Sequence, residues 1–407
     1  MDFAFHLSQG LFSSADVDVG TRLLLRELSG MIDLDAGAGR PPPGRVLDAG
    51  CGVGVIGICA AATLPGSPLV RCQDRDELAR LFTLRNAAGN GVSLDARTEP
   101  LLAGDVPWDL ILSNVPAKAG TPVLEDFVSR SLGLLNPGGR VAVVVVQPLA
   151  DFFRGRIALA GAEILSERSG SGHVVFAYAP GEGQGASTAL ESGPGFLSRY
   201  PFYVRASVRR EIQAVPVKID AVHGASGFDE AGGAVAVAAR LVARLGPEVC
   251  GSPLLVHEPG QGFFPCWLLA ACGDSPVVVL SGRNVLALEA ARHNVSRLAA
   301  VVPAADLRLG GRALLEAVDG GKYACLAAFP ELLPQSSLPK GTDQLASLWG
   351  AVPPLLAVGG LLLVTLASSD AERFDRRKPA GFTRLGGIRR DGFRALAYRL
   401  GERGLET

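Results

Sequence analysis

The sequence predicts an α/β protein of two tandem, doubly wound domains, each a mostly parallel sheet ending in an antiparallel hairpin, with the second copy degenerate. Three observations predict it. From Arg45 to Gly57 an apolar run ends in an acid, passes glycines at alternate positions and continues as an apolar segment to Leu64, which reads as strand, turn and helix. The pattern returns: Val46 to Gly54 aligns without gaps on Leu254 to Gly262, at an offset of 208 that also carries Ser67-Pro68 onto Ser275-Pro276, Arg75 onto Arg283 and Asn86 onto Asn294. Two short extended runs, Glu163 to Arg168 and His173 to Tyr178, flank Ser169-Gly170-Ser171-Gly172 as a hairpin, and the second run meets Phe393 to Tyr398 in the repeat.

Composition bounds the rest. At 407 residues and 48% apolar, the chain can fill a core in each domain. No apolar run reaches the roughly eighteen residues of a membrane span, and the start, Met1 to His6, lacks the basic and small-residue features of a signal peptide, so a cytoplasmic location is expected. Seven cysteines without C-x-x-C spacing indicate neither a disulfide framework nor a zinc site, and no metal is expected. The net charge of −1 gives no global pull toward nucleic acid. Ala371 to Arg403, however, carries ten basic residues and four acids, a face for phosphates or simply a solvated surface.

In chain order, Phe3 to Ser13 partly alternates like a strand, Asp18 to Leu28 is an amphipathic helix and Asp33 to Pro43 a loop. At the glycine loop, Gly50, Gly52 and Gly54 lack Cβ atoms, so the backbone turns sharply and comes close to a ligand at the N-terminus of the next helix. Two readings compete here. Gly52 to Gly57 matches G-x-G-x-x-G with Asp74 about twenty residues on, as in a dinucleotide site. Against that, Asp48 places an acid inside the strand end, just before the first glycine. Leu69 to Asp74 is the second strand; Asp74 is a ribose-binding acid or a helix N-cap. Val92 to Leu102 contains the third strand and ends near Glu99, a polar contact or a surface residue. Trp108 to Asn114 is a buried strand running into a turn at Val115-Pro116-Ala117, and Leu134 to Val146 gives helix end, Pro-Gly-Gly turn and fifth strand. Pro180 to Thr188 has linker composition. The boundaries are therefore set at 1–180, a linker at 181–215, and 216–407.

The string Val46-Leu47-Asp48-Ala49-Gly50-Cys51-Gly52-Val53-Gly54 resembles the first motif of class I S-adenosylmethionine-dependent methyltransferases. Asn114-Val115-Pro116-Ala117 resembles the N-P-P-aromatic turn of members acting on exocyclic or amide nitrogens. Gly10-Leu11-Phe12-Ser13 with Asp18 to Leu25 resembles the lead-in of the tandem ribosomal RNA guanine-N2 methyltransferases. The resemblance implies two Rossmann-like class I methyltransferase domains packed as a pseudo-dimer, with S-adenosyl-L-methionine as cofactor. It assigns Asp48, Gly50, Gly52 and Gly54 to the cofactor, Asp74 to its ribose, Glu99 to the adenine amine, and Phe12, Thr21 and Asn114 to further contacts. Asn114 and Pro116 would position the acceptor nitrogen, expected on RNA. The chain departs from the motif in two places: Val115 replaces the first proline and Ala117 the stacking aromatic. A protein amide or small molecule as acceptor, or a binding protein that has lost turnover, are the alternatives.

The second copy loses the residues the resemblance makes functional. Val256 stands at the position of Asp48, Glu258 at that of Gly50 and Gly282 at that of Asp74, while Ala327-Ala328-Phe329-Pro330 replaces the Asn turn. Members of the resembled subgroup usually carry the degenerate copy first; here the order is reversed.

Overall fold

The computed structural model describes residues 2–11, 16–104, 106–181, 195–227, 229–272, 277–299, 307–311, 315, 318, 321–333 and 342–402. The chain forms two compact units, Met1–Ser192 and Gly193–Thr407.

The first unit follows the alternation read from the sequence: α1 (Val19–Gly37), β1 (Arg45–Ala49), α2 (Val55–Thr63), β2 (Leu69–Asp74), α3 (Glu77–Gly89), β3 (Asp95–Thr98), β4 (Trp108–Asn114), α4 (Thr121–Gly133), β5 (Leu135–Val146), α5 (Ala150–Leu159), β6 (Ala162–Gly170) and β7 (His173–Pro180). The sheet order is β3-β2-β1-β4-β5-β7-β6. The first five strands are parallel and β7 is antiparallel to both its neighbours. Helices cover both faces, so β1 and β4 are continuous apolar runs rather than alternating ones. On one face, Leu24, Leu28 and Met31 of α1 and Ile56 and Ala60 of α2 pack over Val46, Val70, Leu110, Leu112 and Val144.

Three sequence expectations need correction. Residues 33–43 are not all loop: α1 continues to Gly37, because buried Asp35 in its last turn pairs with Arg140 of β5. The start of the chain is extended but joins no sheet. Instead Asn90 Oδ1 accepts from Ala4 N at 3.0 Å and its Nδ2 donates to Ala4 O at 2.8 Å, and Asn86 does the same for His6 at 2.8 and 3.0 Å. Two side-chain amides thus substitute for a neighbouring strand. Third, the span 181–215 is not linker throughout: β8 (Val204–Ile212) pairs antiparallel with β9 (Val215–Val222), and the second unit begins at Gly193.

The second unit repeats the plan with α6 (Phe196–Arg199), α7 (Gly232–Leu245), β10 (Leu254–His257), α8 (Phe263–Cys272), β11 (Val278–Gly282), α9 (Val285–Ala299), β12 (Leu307–Gly311), β13 (Tyr323–Ala328), α10 (Gln344–Leu355), β14 (Leu356–Ala367), α11 (Ser368–Arg376), β15 (Phe382–Arg390) and β16 (Phe393–Leu400). Its sheet order, β12-β11-β10-β13-β14-β16-β15, is that of the first unit strand for strand. Alternate residues serve opposite faces: Leu254 and Val256 pack with α7 and α8, Leu255 with α10. Among the described residues no helix is long and apolar enough to cross a membrane, and no cluster of His, Cys, Asp or Glu could hold a metal ion.

Candidate active site

The sheet order reverses between β1 and β4, and the crevice at such a switch point, outside the carboxyl ends of the strands, is where open α/β sheets bind ligands. Four elements meet there in a row. Glu99 follows β3, Asp74 ends β2, the glycine loop leaves β1 and Asn114 ends β4. At the spacing of neighbouring strands, the row is roughly 14 Å long.

The loop has the backbone its glycines permit. Gly50, Gly52 and Gly54 lie at φ 77°, 55° and 86°, in the left-handed region that disfavours side chains. It is fastened from both sides. Gln73 O accepts from Gly50 N and Cys51 N, Asp74 Oδ2 accepts from Gly52 N at 3.0 Å, Thr83 Oγ1 donates to Gly52 O at 3.2 Å, and Asn86 Nδ2 donates to Val53 O at 2.9 Å. A Cβ on Gly54 would lie 2.8 Å from Thr83 Cγ2, so that glycine is required by packing. A Cβ on Gly52 would meet nothing within 4 Å, so its open side faces free space.

Asp48 corrects the expectation of a direct grip on the ligand. Its side chain is wholly buried beneath the loop, with Oδ2 accepting from Gly57 N at 2.8 Å and Oδ1 without a partner. Burial pushes its carboxyl up to about 7. Gly57 lets this happen, since a Cβ there would stand 2.2 Å from Cys72 Sγ. Asp74 is half-buried; Oδ1 accepts from Asp76 N and Oδ2 from Gly52 N, each at 3.0 Å, and desolvation raises its carboxyl against those hydrogen bonds. It is not the cap of α3; Asp76 is. Glu99 donates its backbone N–H to Asp74 O at 2.8 Å, and its Oε2 is buried without a partner. Burial raises its carboxyl too.

At the other end, Asn114 Nδ2 donates to Asp18 Oδ2 at 2.9 Å and to Thr21 Oγ1 at 3.0 Å. Thr21 is thus engaged by Asn114. Ser113 Oγ donates to Ala49 O at 2.6 Å, tying the end of β4 to the base of the glycine loop. Pro116 is exposed and its carbonyl accepts from Ala119 N at 3.0 Å in a tight turn; Ala117 is exposed and offers no ring for stacking. Phe12 lies outside the described residues. Sequence reasoning missed Asp18, Thr83 and Asn86. For Asn86 a signal existed, because its counterpart Asn294 recurs at the repeat offset.

In the second unit the loop keeps this geometry but carries a glutamate. Gly260 and Gly262 keep positive φ, and Glu258 takes φ 55° at the position of Gly50. Glu258 Oε1 accepts from Arg283 N at 2.9 Å, and its carboxylate lies 3.1 Å from where a Cβ on Gly282 would stand. The glycine at the position of Asp74 therefore makes room for the glutamate. Of the basic residues in 371–403, six sit against acids: Arg373, Arg377, Arg384, Arg389, Arg390 and Arg394 pair with Asp370, Asp343, Asp375, Glu372, Asp391 and Glu372. That pairing leaves less charge for a polyanion than the count suggests.

Known proteins resemble this unit. Residues 2–153 match the family described as methyltransferase small domain. Ribosomal RNA small subunit methyltransferase C of Hahella chejuensis is 34% identical over 155 residues, covering 36% of this chain and 42% of that protein. The same enzyme of Pseudomonas entomophila is 32% identical over 171 residues, covering 40% and 47%. Ribosomal protein L11 methyltransferase of Syntrophotalea carbinolica is 32% identical over 172 residues, covering 40% and 52%. The matched span is thus about half the length of these relatives or less. The structure of the T. thermophilus 16S rRNA N2 methyltransferase RsmC, in complex with AdoMet and guanosine, superposes with a TM-score of 0.64 at 15% identity, covering 98% of this chain and 95% of that one. It has the same fold. The part of the chain that builds the glycine loop and the Asn114 turn, residues 2–153, is the part that matches the methyltransferase small domain family.

Proposed function

We propose that the first unit is an S-adenosylmethionine-dependent methyltransferase acting on an exocyclic nitrogen of ribosomal RNA. The observation that carries the reading is the row at the carboxyl edge: an open cradle at Gly52, two carboxylates on one side of it and the anchored amide of Asn114 on the other. The residues fit the cofactor. Glu99 follows β3 at the far end, where its carboxylate would accept from an adenine amine. Asp74 accepts from the backbone at Gly52 and Asp76, and a carboxylate has further lone pairs with which it would accept from a ribose hydroxyl. The left-handed glycines leave space for the amino-acid portion, and Asp48 holds the loop from below at the start of α2. Bound there, the cofactor would supply an electrophilic methyl group.

Asn114 Oδ1 then accepts from the acceptor amine and fixes its approach. Placement is the main contribution, because alignment rather than acid-base chemistry limits such a transfer. The second unit, with Glu258 at the position of Gly50 and Gly282 at that of Asp74, would bind no cofactor and serve recognition or bracing.

The test uses the full chain. Calorimetry with S-adenosylhomocysteine is expected to show binding that Asp74→Ala weakens at least tenfold. Labelled S-adenosylmethionine is expected to mark ribosomal RNA, and Asn114→Ala to slow transfer about 100-fold. Absence of cofactor binding sinks the reading. Label on a ribosomal protein instead of RNA selects the second reading, a protein-amide acceptor, which the exposed Ala117 in place of a stacking ring favours.

A further inference from the structure

We infer that Asp18 is a positioning residue that fixes which way the amide of Asn114 faces; this rests on the acceptor role proposed above for Asn114. An Asn side chain presents a donor on one end and an acceptor on the other, and either can face a pocket after a half-turn about its last bond. Asp18 removes that freedom. Its carboxylate has only acceptors to offer, so the NH2 group must face it, as it does at 2.9 Å, with the second proton on Thr21 Oγ1 at 3.0 Å. Oδ1, on the other side of the amide from both, is left as the acceptor for an amine.

The carboxylate is itself held. Asp18 caps α1, and the same Oδ2 that meets Asn114 accepts from Thr21 N at 3.2 Å. Gly20 clears the way: a Cβ there would lie 2.9 Å from Asp18 Oδ2 and 2.8 Å from His173 Cδ2. One turn at the start of α1 thus presents a fixed anion, a hydroxyl and a gap, 93 to 96 residues before the strand end they serve. A cap alone needs no partner on β4.

Capping and positioning separate by substitution. Asp18→Ser keeps a capping oxygen but is too short to reach Asn114, whereas Asp18→Asn keeps one acceptor for both bonds. For Asp18→Ser we expect kcat to fall about 100-fold with the S-adenosylhomocysteine Kd and the Tm near wild type, and for Asp18→Asn we expect turnover within a few-fold of wild type. In an Asn114→Ala background, Asp18→Ser should cost nothing further, since its route of action is gone. Full turnover in Asp18→Ser, or an undiminished loss in the double variant, overturns the inference.

A readout independent of turnover separates this from the functional reading. With 15N-labelled asparagine, the side-chain amide resonances of Asn114, assigned by their loss in Asn114→Ala, should move toward those of an exposed amide in Asp18→Ser and stay in place in Asp18→Asn. Unchanged resonances in Asp18→Ser overturn the inference whether or not the wild type methylates anything. A wild type that transfers no methyl group to any acceptor, with resonances that respond as expected, overturns the functional reading alone.

Discussion

At the scale of single residues, buried charge and backbone handedness dominate. Asp48 has no exposure, and burial raises its carboxyl from the ordinary 3.8 to about 7. The folded chain therefore holds a proton there between pH 4 and 7 that the unfolded chain has released, and stability falls as pH rises through that window, by on the order of 4 kcal/mol. Asp48→Asn should flatten the dependence between pH 4 and 7 and raise stability at pH 8, measured by denaturant unfolding across pH. A flat wild-type profile would contradict this origin. The loop glycines separate two demands. Gly52→Ala meets open space at φ 55°, so it should cost about 1 kcal/mol of stability yet more than tenfold in cofactor affinity; Gly54→Ala drives a methyl into Thr83 and should cost about 1–3 kcal/mol by itself. Thermal unfolding and calorimetry on the pair check the contrast.

At the scale of elements, one device appears in both units. Asn86, fully buried on α3, bonds the backbone of His6 and the carbonyl of Val53; Asn294 on α9 bonds Asp220 N and O at 2.7 and 3.0 Å and Gln261 O at 3.0 Å. In each case one amide joins a helix, a glycine loop and an extended segment that lies outside the main sheet. In the first unit that segment also brings Phe3, Phe5 and Leu7 over Val53 and Val55. Truncating either side chain strands several backbone groups, and about 2–4 kcal/mol should be lost from Asn86→Ala and from Asn294→Ala alike. Only the first should also weaken cofactor binding, because only its loop has Asp74 beside it, where the second unit has Gly282. Equal effects on binding would mean that the loops are not independent.

At the scale of the molecule, the chain is a duplicated architecture whose two glycine loops differ in the side chains they carry. Both sheets share their strand order and both loops their left-handed glycines, yet Glu258 stands in one where Gly50 stands in the other. Calorimetry should accordingly give one cofactor per chain. Glu258→Gly should relieve a left-handed non-glycine residue worth about 1–2 kcal/mol without creating a second site, since Gly282 supplies no acid for a ribose. A stoichiometry of two would refute the division of roles.

The repeat, the alternation of strands and helices and the glycine loop were legible in the sequence, because each is a local pattern of side-chain size, polarity and backbone freedom that needs no partner to be recognised. Asp48, Asp74, Glu99 and Asn114 were legible as candidates for one site through the resemblance of their motifs to those of a methyltransferase family. What each one touches was not. That Asp48 lies under the loop, that Asp18 and Thr21 orient Asn114, that two asparagines replace a strand for the start of the chain, and that arginines in 371–403 are neutralised by acids were decided by folding. Each of these is a hydrogen bond, an ion pair or a loss of hydration that exists only once distant segments are brought together, and no spacing along the chain encodes it.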